Sequence, residues 1–143
     1  MVLAGPALVG LAVAGLAQAE TLRIATWNAS LDRQGPGLLV KALDEGADPQ
    51  VAAAVRVLVA LDADVVLLTS VDYDRGGVAL KLLADRLAQA GVDYPHRFAF
   101  RPNTGMQTGF DVDGNGRLGD ARDAQGFGLF SGNAGMAILS KLP

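Results

Sequence analysis

Asn28 closes one run of alternating residues, and Ser70, Asp72 and Asp74 follow a second, apolar run. Amide and carboxylate oxygens at neighbouring strand ends can ligate Mg2+ or Ca2+, and α/β folds place their ligands at such ends. Asn and Asp also begin turns and cap the segment that follows, so spacing alone leaves both roles open. Asp111-Val112-Asp113-Gly114-Asn115-Gly116 matches the first half of a calcium loop, with oxygen ligands at alternate positions and a glycine for the sharp turn. Arg122 stands where the bidentate Glu of such a loop belongs, which leaves Asp120 or Asp123 as substitutes. An Asp/Gly turn cluster without an ion gives the same pattern. Arg101 is suited to a phosphate group or to solvent. His96, inside an alternating stretch, is expected to be a hydrogen-bonded packing residue rather than a catalyst.

Composition narrows the chemistry further. The 143 residues contain no cysteine, which excludes disulfides, thiol nucleophiles and zinc-thiolate sites. A single histidine excludes any site that needs two imidazoles within this chain. Fifteen acidic against twelve basic residues give a net charge of −3, which argues against nucleic-acid binding through a generally basic surface. No Walker loop or nucleophile elbow occurs.

Four apolar stretches and two helices must position these residues. Met1 to Ala19 carries no charge and ends Ala17-Gln18-Ala19, the small-x-small pattern of a cleaved export signal. Gly5, Pro6, Gly10 and Gly15 interrupt it too often for a membrane anchor. The expected location is therefore the periplasm or the extracellular space, with no stable membrane span after cleavage, and a domain over 20–143. Thr21 to Ala29 alternates and predicts a strand ending at Asn28. Asp48-Pro49 caps a helix whose stripe runs through Val51, Val55, Leu58 and Asp62. Val65 to Leu68 is continuously apolar, as in a strand buried on both faces. Gly76 to Ala90 predicts a second helix, with Leu80, Leu83, Ala84 and Leu87 inward and Gly91 as its stop. Pro95 to Phe100 and Met136 to Leu139 predict two more strands. Between them, residues 102–135 hold nine of the eighteen glycines and read as one long irregular loop. The order is α/β.

Six motifs, in order, give a resemblance. LRIATWN at 22–28, ADVVLLTSVDYD at 63–74, YPHRFAFRPNTG at 94–105, DVDGNG at 111–116, DAQGFG at 123–128 and GMAILSKLP at 135–143 together resemble the exported bacterial branch of the endonuclease/exonuclease/phosphatase family. The resemblance implies a DNase-I-like four-layer α/β sandwich, of which this chain matches roughly the N-terminal half. It also implies metal-dependent hydrolysis of a phosphate ester: a phosphomonoester, a phosphodiester or nucleic acid. Asn28 matches the first-strand asparagine of the metal and phosphate site, and Asn28 with Asn103 are the candidate catalytic residues. Asn28 and Asp72 are the candidate Mg2+ ligands, and Arg101 the candidate phosphate binder. Asp111, Asp113 and Asn115 form the candidate Ca2+ loop. Ser70 stands where the family places a metal-binding Glu, so either Asp72 compensates or the metal site is degraded. The late Ser-Asp-His motif does not occur in this sequence. A half sandwich is expected to leave one sheet face uncovered and to be inactive alone. The alternative is a non-catalytic calcium-binding module that keeps the fold.

Overall fold

The computed structural model describes residues 21–143, so the expected export signal lies outside the described residues. Four strands and three helices follow one another in the order β1 (Ile24–Leu31), α1 (Leu38–Glu45), α2 (Pro49–Leu61), β2 (Val65–Val71), α3 (Val78–Gln89), β3 (His96–Phe98) and β4 (Gly135–Ser140). The strands form one mixed sheet in the order β1-β2-β4-β3, with β1 parallel to β2 and both other pairs antiparallel.

Local chemistry explains most of the elements. The Asp48 carboxylate accepts from the Gln50 and Val51 N–H groups at 2.8 and 3.0 Å, with Pro49 in the first turn, which starts α2. Asp74 reaches the Val78 and Ala79 N–H groups at the start of α3. The inward stripe of α3 is as expected, with Leu80, Leu83, Ala84 and Leu87 buried. In α2 the buried positions are Val51, Ala54 and Leu58, while Asp62 is an exposed left-handed cap. The sequence reading missed α1. It is eight residues long and lies between two left-handed glycines, Gly37 and Gly46. Its last carbonyls are held from α3, where Arg86 donates to the Leu43 and Asp44 oxygens.

The helices cover one sheet face only. Ala29, Leu31, Val66, Leu68, Val71, Ala137 and Leu139 join Leu39, Leu43, Leu58, Leu83 and Leu87 in a single core. Tyr94 is fully buried and donates its hydroxyl to the Ala63 carbonyl at 2.9 Å. The opposite face is open. A row across it runs Thr26, Leu67, Ile138, Phe98, and the next runs Asn28, Thr69, Met136. Phe98 is 50% exposed and Met136 59%. This corrects the expectation that the Val65–Leu68 run is buried on both faces: Val65 and Leu67 are only half-buried on the uncovered side. His96 also differs from its expected packing role, because it is exposed on the edge strand.

Candidate functional site at the strand ends

Because β1 and β2 are parallel, their C-terminal ends lie side by side, and antiparallel β4 begins at the same corner. Regular pairing breaks there. The β1–β2 register slips between Asn28 and Leu31, and the β2–β4 register between Thr69 and Val71. Ser30 (φ 48°), Ser70 (φ 54°) and Ala134 (φ 49°) all adopt the left-handed region. They are three of the four non-glycine residues that do so among the described residues, and the fourth, Asp62, ends α2. Such conformations cost about 1–3 kcal/mol each, persist only where the surroundings over-determine them, and cluster at functional sites.

Asp72 supplies much of that determination. Its carboxylate is buried, with one oxygen accepting from the Arg33 N–H at 2.8 Å. The other oxygen accepts from the Asn133 amide at 3.1 Å and the Ala134 N–H at 3.0 Å. One side chain therefore ties together the segment after β1, the end of β2 and the approach to β4. Asn133 extends the tie, since its amide oxygen accepts from the Leu129 N–H and its carbonyl accepts from the Thr104 hydroxyl. Neither Asn133 nor Arg33 was singled out from the sequence. The one local signal was a Gly-Asn pair just before a strand, and loops commonly carry that pattern.

Asn28 lies on the open face in the last regular row, where its amide oxygen accepts from the Ser30 N–H at 3.0 Å. Ser70 is half-buried in the bulge. Residues 101–103 cross the same corner, because a Cβ on Gly135 would lie 3.1 Å from Pro102 Cγ and 3.2 Å from the Val71 oxygen. Asn103 is exposed beside them, and Arg101 donates to the Ser131 hydroxyl at 2.7 and 3.1 Å. Asn28 and Ser70 thus lie at this corner and Pro102 crosses it, while the Asn103 amide oxygen faces Gly126 and Asp72 is buried among N–H donors.

This donor set does not suit Mg2+ as it stands. The ion is usually held by one or two carboxylates together with waters. Asp72, the one carboxylate assigned to it, already accepts three N–H bonds. Ser70 offers only a neutral hydroxyl.

The Gly/Asp-rich loop is less irregular than its composition implies. Isolated bridges pair Thr104 with Gly126 and Gln107 with Ala124. Gly105, at φ 67°, must be glycine, since a Cβ there would meet the Phe130 carbonyl oxygen at 1.8 Å. At the loop's far end, one oxygen from each of Asp111, Asp113 and Asp123 lies within 4.8 Å of the others. Of the two candidate substitutes, Asp123 is thus the one that joins the cluster. It is fully buried and accepts from the Val112 and Gly119 N–H groups, both at 2.8 Å. Asp111 accepts from the Asn115 and Gly116 N–H groups. Asn115 instead gives its amide hydrogen to Asp120 at 2.7 Å, and that bond is the largest cause holding the Asp120 carboxyl below its usual range. Arg122 pairs with Asp113 from outside at 3.4 Å.

No protein-family model, curated protein or solved structure matches this chain.

Proposed function

We propose that this chain forms one sheet-and-helix half of a DNase-I-like four-layer sandwich in an exported phosphate-ester hydrolase. The observation that carries the reading is the strained corner, where three left-handed residues and Asn28 sit at converging strand ends. The open apolar sheet face supports the four-layer architecture, because a second sheet packed about 10 Å away would cover Leu67, Phe98, Met136 and Ile138. In this reading the Asn28 and Asn103 amides orient the phosphoryl group. Arg101, anchored on Ser131, donates to a phosphate oxygen with its remaining N–H groups. The Asp72 carboxylate, engaged as described, is not available to hold a divalent ion.

The test is hydrolysis of bis(4-nitrophenyl) phosphate by the protein in the full length its gene encodes. Asn28→Ala should lower kcat by about 10²-fold, the typical loss for one orienting donor, with the unfolding midpoint retained. Unchanged turnover would overturn the assignment.

One observation favours a second reading, a non-catalytic module that binds Ca2+: the convergence of Asp111, Asp113 and Asp123. Calorimetric titration with CaCl2 should then show a single site that Asp111→Asn weakens, in a protein that hydrolyses no ester. A flat titration would dismiss it.

A further inference from the structure

Four asparagines occur in the sequence, Asn28, Asn103, Asn115 and Asn133, and only Asn115 is followed by glycine. That pair carries chemistry of its own. With no Cβ on the following residue, its backbone nitrogen can approach the asparagine Cγ and close a cyclic imide. Asn115 and Gly116 are both exposed, and a Cβ on Gly116, at φ 79°, would meet nothing within 4 Å. Solvent therefore reaches the reacting atoms, and no neighbour crowds them. Each of the three reacting groups nevertheless has a hydrogen-bond partner in the loop. The nucleophile, the Gly116 N–H, donates to Asp111 Oδ2 at 2.8 Å. The leaving nitrogen, Asn115 Nδ2, donates to Asp120 Oδ2 at 2.7 Å. The Asn115 amide oxygen accepts from the Arg117 N–H at 2.8 Å. The last bond polarises the carbonyl and favours attack. The first opposes it, because the nitrogen must lose its proton, and a carboxylate bound to the neutral N–H disfavours the anion. Two bonds to carboxylates, each about twice as strong as a neutral one, outweigh the single neutral bond.

We infer that Asn115 is a site of spontaneous deamidation and that the Asp111 and Asp120 carboxylates hold the reaction back. Hydroxide takes the Gly116 N–H proton, and the nitrogen bonds to Asn115 Cγ. The Cγ–Nδ2 bond then breaks, and Nδ2 takes a proton from water and leaves as ammonia, which regenerates the hydroxide. A second water opens the imide at either carbonyl, giving aspartate or isoaspartate at position 115. The product adds one negative charge to a chain that already carries −3, and it sets a carboxylate against Asp120 where an amide donor stood. Isoaspartate also lengthens the backbone between the two N–H groups, of Asn115 and Gly116, that Asp111 accepts. The modification thereby unfastens the loop at Asp111. It requires neither the hydrolase nor the calcium module.

Tandem mass spectrometry of the full chain, incubated in EDTA at mildly alkaline pH, tests it. Replacement of NH by O, seen as a mass gain, should accumulate at Asn115 ahead of Asn28, Asn103 and Asn133. A synthetic peptide of residues 110–120, which lacks the folded loop, should react about tenfold faster or more. Asp111→Ala frees the nucleophile and Asp120→Ala the leaving group, and each should speed the reaction in the chain about three- to tenfold. Asn133, buried in the fold, serves as the internal control for global opening. An Asn115 that stays intact while the peptide reacts to completion would overturn the site. Equal rates in chain and peptide, or both alanine variants no faster than the parent, would overturn the hold by the carboxylates. A rise at Asn133 in step with Asn115 would overturn it too, since the acceleration would then come from unfolding.

Discussion

Replacing Asp72 separates a structural carboxylate from a metal ligand. In Asp72→Ala three N–H donors, on Arg33, Asn133 and Ala134, lose their acceptor in a buried or half-buried setting. Hydrogen bonds to a charged group contribute about 1.5–3 kcal/mol each. Their simple sum overstates the loss, because the three share one side chain and water can reach Arg33. A destabilisation of about 3–5 kcal/mol is expected, in the range reserved for broken buried networks. Asp72→Asn is milder. Its amide oxygen can keep the Asn133 and Ala134 donors, but its NH2 then faces the Arg33 N–H, at a cost of about 1–3 kcal/mol. Urea unfolding followed by far-ultraviolet circular dichroism measures both. With a slope of about 2 kcal/mol per molar urea, the alanine variant should unfold about 1.5–2.5 M earlier and the asparagine variant about 0.5–1.5 M earlier. Both shifts should be the same in EDTA and in Mg2+. Variants within about 0.5 kcal/mol of the parent in EDTA, with only a Mg2+-dependent stabilisation lost, would refute the structural role.

Three further outcomes follow from the same contacts. Ser70→Gly should stabilise the chain by about 1 kcal/mol, since glycine adopts φ 54° freely; a loss in the unfolding midpoint would mean that the serine side chain matters more than the strain. Gly105→Ala should cost about 2–4 kcal/mol, because its Cβ overlaps the Phe130 carbonyl, whereas Gly109→Ala, with open space around it, should cost only about 1 kcal/mol; equal midpoints for the two would contradict the close approach. The Asp48 carboxyl is held below its usual value of 3.8, chiefly by the Val51 N–H and further by Arg33. Its folded pKa lies below its unfolded one, so its contribution is complete above about pH 4 and disappears as pH falls through the folded value. Asp48→Asn keeps a capping oxygen but cannot titrate, so its stability deficit at pH 6 should shrink by about pH 2.5, and a deficit constant with pH would count against the shift.

Much of the fold was legible in the sequence wherever a few neighbouring residues decide the outcome. Asp48 and Pro49 start α2 through bonds that span two or three residues, and the stripe at Leu80, Leu83, Ala84 and Leu87 follows from helical period alone. The last strand appeared in place but one residue short at each end, whereas the first was expected to start at Thr21 and end at Asn28 and instead runs from Ile24 past Asn28 to Leu31, through a bulge that needs β2 beside it. α1 escaped notice because its residues are few and its end is held by Arg86, 43 positions beyond Leu43. An apolar run such as Val65 to Leu68 says that a strand is suited to burial, but only the placement of three helices on one side determined which face is covered. The candidate site divides in the same way. The identities of Asn28, Ser70 and Asp72 come from the chain, yet the tertiary structure alone engaged Asp72 with an amide 61 residues away and brought Asp123 to Asp111. Caps and periodicity are set within a turn or two of backbone, whereas the partner of a buried charge is set by how distant segments close against one another.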